Sequence, residues 1–124
     1  MPANKCVVIV VDDEELVDEY IQEVLERHGY THVSFSEPEK ALEYFEENHE
    51  KVELLITDVR MPIISGLELA EKMAQTNPYL RKLFITGDSF QLPNVRPDQI
   101  LHKPITKREL MEAVERTISD ECKN

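Results

Sequence analysis

The chain has 124 residues, enough for one domain with a substantial core and too few for two average domains. Its hydrophobic fraction is 41% and its charged fraction 31%, values typical of a folded domain and not of a disordered, collagen-like or membrane-spanning chain. The net charge of −11 argues against direct nucleic-acid binding, because such proteins need a basic face that replaces the counterions of the phosphates.

The sequence offers no segment suited to membrane insertion or export. Its longest apolar run spans residues 6–11, whereas a membrane-spanning helix needs about 20 residues. Four acidic residues follow this run, where a signal peptide would have a small-residue cleavage site. We therefore expect a cytoplasmic protein. In that reducing compartment Cys6 and Cys122 are expected to be free thiols, with a disulfide between them as the alternative.

The first half of the chain alternates apolar runs with amphipathic stretches. Val7–Val11 contains only Val and Ile, which predicts a strand buried on both faces. Residues 14–28 repeat apolar side chains at helical spacing and end before Gly29, which predicts a helix. An alternating edge strand is predicted over residues 31–35, followed by a helix over residues 38–47 that begins at Pro38.

The second half continues the alternation. The predicted elements are strands over residues 52–57, 82–86 and 100–102 and helices over residues 66–76 and 106–119. The connection over residues 87–102 contains Pro93 and Pro97, so at most one or two helical turns fit there, with residues 88–92 as the candidate. This order predicts parallel strands with helices on both faces of the sheet. No linker divides the chain, so we expect one domain over residues 1–124 and no output domain.

Reactive side chains follow four of the five predicted strands. Asp12 and Asp13 follow the first strand, Asp58 follows the third, Thr86 ends the fourth and Lys103 follows the fifth. Because ligands of open parallel sheets bind beyond the carboxyl ends of the strands, these side chains should share one site. Three carboxylates in contact would repel one another by about 1–4 kcal/mol per pair. One Mg²⁺ ion, which prefers oxygen ligands, and the lysine ammonium would balance their charge.

Such a site suits phosphoryl transfer. A carboxylate can act as a nucleophile and form an aspartyl-phosphate. Asp58 is the best candidate, because it lies on the middle functional strand, with the acid pair on one side and Thr86 on the other. Mg²⁺, Lys103 and the Thr86 hydroxyl could each meet one oxygen of the phosphoryl group.

These residues resemble the receiver domains of two-component response regulators. The matching stretches are VVDDEE (10–15), ITDVRMPIISG (56–66), FITGDS (84–89) and LHKP (101–104), and the resemblance covers essentially the whole chain. It implies an α/β fold of the flavodoxin-like kind, with three layers (α/β/α) and a five-stranded parallel sheet in the order 2-1-3-4-5.

The resemblance also implies the roles of the acidic residues. Asp58 would accept the phosphoryl group from a sensor histidine kinase or a histidine phosphotransfer protein. Asp13, Asp58 and the backbone carbonyl of Arg60 would bind Mg²⁺ directly, and Asp12 would act mainly through water. We expect neither membrane insertion nor direct contact with nucleic acid.

Further roles follow for the residues of the last two strands. Thr86 would move toward the phosphoryl group on activation, and Lys103 would contact one of its oxygens. The peptide bond between Lys103 and Pro104 is expected to be cis. Output would pass through a protein partner, with the protein a monomer or a phosphorylation-dependent dimer.

Two features depart from the family pattern. Ile100 stands where the family often has the aromatic residue that swings inward on activation. The helix of the fourth crossover is expected to be short or absent, although many family members signal through the face that contains it.

Two other functions compete with this interpretation. A phosphatase of the haloacid dehalogenase kind also forms an aspartyl-phosphate, but its nucleophile belongs to an Asp-x-Asp motif on the first strand, where this chain has Asp12-Asp13-Glu14. A receiver-like interaction module would share the fold without being phosphorylated. We expect a protein that catalyses only its own phosphorylation and dephosphorylation and is otherwise not an enzyme.

The side chains beside the phosphoryl position are expected to modulate its lifetime. Arg60 and Asp88, the latter next to Gly87, carry opposite charges at the positions that flank the phosphoryl group in the family. We hypothesise that the two side chains pair and shield the acyl phosphate from water. An Arg60→Ala variant should then lose its phosphoryl group faster than the wild type, and an unchanged dephosphorylation rate would exclude the pair.

Overall fold

The computed structural model of the protein describes residues 6–87, 92 and 94–122, and strands alternate with helices along them. The strands are β1 (Val7–Val11), β2 (Thr31–Phe35), β3 (Val52–Asp58), β4 (Arg81–Thr86) and β5 (Ile100–His102). The α-helices are α1 (Glu15–Arg27), α2 (Pro38–Asn48), α3 (Gly66–Thr76) and α4 (Lys107–Thr117). Single 3₁₀ turns cover Pro97–Gln99 and Asp120–Cys122. The predicted elements are thus confirmed, with boundaries that differ by one or two residues.

The five strands form one parallel sheet in the order β2-β1-β3-β4-β5. The flavodoxin-like order predicted from the sequence is therefore confirmed. Because the order reverses between β1 and β3, the loops after these two strands leave the sheet toward opposite faces. Ligands of such sheets generally bind at this switch point, and Asp12 and Asp58 stand at the ends of the two strands that form it.

Each face of the sheet is covered by two helices. On one face α1 and α4 contribute Ile21 and Leu110 to the core, and on the other α2 and α3 contribute Phe45 and Met73. All five residues of β1 are buried, which explains why its sequence lacks polar alternation. The position of β1 and β3 at the centre of this three-layer arrangement fixes the backbone that carries the acidic residues.

The crossover from β4 to β5 differs from the other three. Among its described residues, only Pro97–Gln99 form a helical turn, and this turn is 3₁₀. Residues 88–91, which hold most of the predicted short helix, lie outside the described part of the chain. Within the described part of this crossover, the single 3₁₀ turn agrees with the expectation of a short or absent helix. Nor does any helix within the described ranges have the length and apolarity needed to cross a bilayer.

Glycine at position 66 lets α3 begin directly against the end of β3. A Cβ atom at Gly66 would lie 2.1 Å from the carbonyl oxygen of Asp58, a distance that no real side chain tolerates. The preceding Ser65 caps the helix, since its hydroxyl accepts a hydrogen bond from the Glu68 N–H at 3.2 Å. The loop that follows Asp58 is thereby held close to the sheet.

Cys6 and Cys122 form a disulfide, so the prediction of two free thiols was wrong. The fold brings both ends of the described chain to the edge where β1 begins, and the two Cα atoms are 5.5 Å apart, as a disulfide requires. The last turn is also held by the Ser119 N–H, which donates to the Glu53 carboxylate at 2.9 Å. The prediction failed because it relied on the expected compartment, whereas the pairing depends on tertiary geometry.

Opening this disulfide should lower stability substantially. Because it closes a loop with a sequence separation of 116 residues, it restricts the unfolded chain strongly. A Cys6→Ser/Cys122→Ser double variant should lose about 2–5 kcal/mol of unfolding free energy relative to the oxidised protein in urea titrations. The reduced wild type should match the double variant. Equal stability of the oxidised and reduced proteins would contradict the expectation.

Candidate functional site

Four predicted site residues lie at the carboxyl edge of the sheet. Asp12 directly follows β1, Asp58 ends β3 and Thr86 ends β4, and their exposed fractions are only 1%, 5% and 2%. Lys103 follows β5, and its backbone N–H donates to the Thr86 carbonyl oxygen at 2.9 Å. This bond extends the ladder between β4 and β5 by one residue and places the lysine stem beside the site.

The Asp58 carboxylate is held from two sides. Its Oδ2 accepts a hydrogen bond from the Lys103 ammonium at 3.2 Å. Its Oδ1 accepts one from the Arg60 backbone N–H at 3.2 Å. The carboxylate is thus oriented toward the mouth of the site by one side chain and by the turn that follows β3.

Asp12 is the most deeply buried acid of the site. Its Oδ1 accepts a hydrogen bond from the Glu14 backbone N–H at 2.8 Å, and its Oδ2 is buried without a hydrogen-bond partner in the described part of the protein. Burial raises the pKa of this carboxyl from 3.8 to about 6, and the charge of Asp58 adds to the effect. The bond from Glu14 and the charge of Lys103 oppose the shift but do not cancel it.

Glu14 is a residue of the site to which the sequence analysis assigned no role. Its Oε1 is paired with the Lys103 ammonium, which therefore bridges Glu14 and Asp58. Burial alone would lower the pKa of Lys103, but the bonds and charges of the two carboxylates outweigh burial and raise it. The signal that could have identified Glu14 is the third acid of the VVDDEE stretch, which continues the acid pair into the loop before α1.

Three carboxylates converge on one point that suits a cation. Oxygens of Asp12, Glu14 and Asp58 lie within 4.8 Å of one another. Lys103 supplies one positive charge against their three negative charges, and the buried Asp12 Oδ2 lacks a donor. Because Mg²⁺ takes carboxylate oxygens and compensates such charge, the residues present fit this ion.

Asp13, predicted as a direct Mg²⁺ ligand, is exposed and does not belong to this cluster. It lines a surface cavity of about 500 Å³ beside the site, together with Asp12, Glu15, Asp18, Gln22, Ser34 and Ser36. The role of Asp13 as a ligand, and that of the Arg60 carbonyl, remain predictions.

The family of the chain is evident from its similarity to known proteins. The sequence matches the family model of the response regulator receiver domain over residues 8–115. The chain belongs to this receiver domain family. It is 30% identical over 118 residues to the response regulator receiver protein CpdR of Brucella abortus. This match covers 90% of this chain and 95% of CpdR.

Two further similarities place this receiver domain among proteins of different architecture. It is 29% identical over 103 residues to the autoinducer 1 sensor kinase/phosphatase LuxN of Vibrio campbellii, a match that covers 80% of this chain but only 12% of LuxN. The crystal structure of a response regulator receiver domain protein from Clostridium thermocellum superposes with a TM-score of 0.80 at 26% identity, over 90% of this chain and 92% of that one. Domains of this family thus occur in a sensor kinase as well as in small regulators.

The structure describes all but one of the residues expected to modulate the receiver site. Arg60 is exposed, as that position requires. Asp88 lies outside the described residues, so its pairing with Arg60 remains a prediction. Gly87 is not needed to make room for the lysine, since a Cβ at this position would lie at an ordinary contact distance of 4.0 Å from Lys103 Cδ. The peptide bond between Lys103 and Pro104 is cis, as predicted.

Ile100, at the position of the family's aromatic switch, is half-buried at the start of β5. It pairs with Phe84 of β4 and packs against the core on the face of α2 and α3. An aliphatic side chain therefore fills this position as part of the core, next to the crossover with the single 3₁₀ turn.

The burial of Asp12 predicts a pH-dependent gain from its removal. The pKa of Asp12 is raised, so its stabilising contribution is present below about pH 4 and is lost as the pH rises through about 6. In the presence of a chelator and above about pH 7, the free energy of unfolding of Asp12→Asn should therefore exceed that of the wild type by about 2–3 kcal/mol. Near about pH 4 the two proteins should differ little. Urea titrations at several pH values measure this gain. A difference that does not change with pH would contradict the assigned cause.

Proposed function

We propose that this receiver domain is a Mg²⁺-dependent phosphoryl acceptor of a two-component pathway and that Asp58 carries the phosphoryl group. The observation that carries the proposal is the position of the Asp58 carboxylate at the end of a central strand. There it accepts hydrogen bonds from the Lys103 ammonium and the Arg60 N–H, with the oxygens of two further acids within 4.8 Å.

The chemistry of the step is a displacement at phosphorus. An oxygen of Asp58 forms a bond to the phosphorus atom while the bond from phosphorus to the histidine nitrogen of the donor breaks. The imidazole leaves with the electron pair of that bond. Hydrolysis later returns the carboxylate and releases inorganic phosphate, so the chain acts only on itself.

The residues around Asp58 supply the electrostatics of this step. Asp58, Asp13 and the Arg60 carbonyl would hold Mg²⁺ directly, and Asp12 would act mainly through water. When bound, the ion neutralises the carboxylates and the charge that develops on the phosphoryl oxygens. The Lys103 ammonium would exchange its contact with the Asp58 carboxylate for a contact with a phosphoryl oxygen. Thr86, at the end of the neighbouring strand, would donate its hydroxyl to another oxygen.

The partners that fit this chemistry carry phosphohistidine. LuxN, a sensor kinase, contains a region similar to this chain, which supports a sensor kinase or a histidine phosphotransfer protein as donor. The output would be a change of contacts with a protein partner after phosphorylation. This proposal includes a cytoplasmic location, where such donors present their phosphohistidine and where reducing conditions would favour opening of the Cys6–Cys122 disulfide.

Intact mass measurement tests the proposal directly. The wild type, incubated with acetyl phosphate or phosphoramidate and Mg²⁺, should gain the mass of one phosphoryl group. An Asp58→Asn variant should gain none, and a chelator should abolish the gain in the wild type. Phosphorylation of the Asn variant to the same extent would place the phosphoryl group on another residue and contradict the assignment of Asp58.

A negative result has a definite meaning if folding is verified. Circular dichroism of each sample establishes that the protein is folded. If neither a small phosphodonor nor a phosphorylated histidine kinase modifies the folded wild type, the phosphorylation-independent interaction module replaces this proposal. A haloacid dehalogenase-type phosphatase is disfavoured by the family assignment and by the position of Asp58 on the third strand.

A further inference from the structure

Like Glu37 of α2, which also makes no side-chain capping bond, Glu14 lies at the start of a helix, α1. It is the N-cap residue of this helix, yet its side chain makes no capping hydrogen bond. The N-caps of α3 and α4 are Ser65 and Thr106, whose hydroxyls accept hydrogen bonds from backbone N–H groups in complete capping boxes. Glutamate is not among the residues favoured at N-caps, and here it can serve the helix only through its charge near the positive end of the helix dipole.

The Glu14 side chain instead reaches across the site to Lys103. Its carboxylate contacts the ammonium that also binds Asp58. The lysine side chain is 24% exposed and that of Asp58 is 7% exposed, so the ammonium is shielded on the side of the phosphoryl acceptor. Glu14, at 58% exposure, closes the same ammonium from the solvent side.

We propose that Glu14 is a positioning residue that acts through Lys103 and slows phosphorylation by keeping the ammonium in a contact between two carboxylates. This inference rests on the function proposed above for Asp58. To meet a phosphoryl oxygen, the ammonium has to weaken its bond to Asp58, and its three N–H donors then have to be redistributed. A carboxylate that retains one of those donors opposes this movement.

The proposal distinguishes the contact from the mere charge of Glu14. An acid near the site also repels an anionic phosphodonor, whichever atom it touches. A shorter acid at the same position keeps the charge but cannot reach as far as glutamate. Glu14→Asp therefore separates the two effects, and Glu14→Gln removes both the charge and the ion pair. Glu15, the next acid along the chain and outside the cluster of three carboxylates, provides a matched control as Glu15→Gln.

The test compares phosphorylation rate constants of the four proteins with phosphoramidate over a range of Mg²⁺ concentrations. At saturating Mg²⁺, Glu14→Gln and Glu14→Asp should both react about two- to fivefold faster than the wild type, which is the range that an ion pair of this exposure supports. Glu15→Gln should react at the wild-type rate. Separation of the limiting rate from the half-saturating Mg²⁺ concentration shows whether the gain lies in the transfer step.

Three kinetic outcomes would overturn the proposal. If Glu14→Asp retained the wild-type rate while Glu14→Gln reacted faster, the charge and not the contact would be responsible. If Glu15→Gln reacted as fast as the Glu14 variants, the effect would not belong to this position. Rates of both Glu14 variants at or below the wild-type rate would also contradict the predicted direction.

A second readout keeps this inference separable from the proposed function. In ¹⁵N NMR spectra of the unphosphorylated protein, the ammonium signal of Lys103 should shift in both Glu14 variants and remain unchanged in Glu15→Gln. An unchanged signal in the Glu14 variants would refute the contact even if Asp58 is phosphorylated normally. Failure of every protein to accept phosphate, with the expected NMR shifts present, would instead refute the proposed function and leave the lysine contact established.

Discussion

Burial of two carboxylates at one edge of the sheet is the constraint around which the site is organised. Asp12 and Asp58 are both buried, and although each oxygen of Asp58 accepts a hydrogen bond, Asp12 Oδ2 has no partner among the described residues. Lys103 supplies the one ammonium in contact with Asp58 that is recorded among the described residues. This arrangement lowers the stability of the folded state at neutral pH, because burial raises the pKa of Asp12 and the carboxyl has to ionise in a buried position. Such a cost is characteristic of sites that are completed by a ligand.

Rigid elements of the fold hold the residues of this site in place. Asp12 and Asp58 extend from β1 and β3, which pair with each other at the centre of the sheet. Lys103 depends on the shortest strand, but its N–H bond to Thr86 ties it to β4. Gly66 allows α3 to approach the carbonyl of Asp58, so the loop beyond the acceptor is anchored at both ends. The acids cannot move apart without disturbing the core on both faces.

The sequence was sufficient to predict the fold because the strands of this sheet carry a strong local signal. The central strands β1 and β3 are mostly apolar and buried, and Asp12 follows the first while Asp58 ends the second. The position of Gly66 and the proline after Lys103 belong to the same local pattern. The disulfide and the contact of Glu14 with Lys103 could not be predicted in this way. Both join residues about a hundred positions apart, and they depend on how loops and chain ends fold back on the sheet.

The fourth crossover is the part of the domain with the least regular structure among the described residues. Leu92 is nevertheless buried against the core of α2 and α3, where Ile100 and Phe84 also pack. The crossover is thus attached to the core by side chains more than by helical hydrogen bonds.

The disulfide between Cys6 and Cys122 also determines how the domain would respond to mechanical load. A pulling force applied at these two residues is borne by the covalent bond, and the hydrogen bonds of the sheet carry none of it. In the reduced protein the same force would act first on β1, which lies between β2 and β3 and has parallel partners on both sides. Because β1 leads directly to Asp12, detachment of this strand would dismantle the acidic site before the rest of the sheet unfolds.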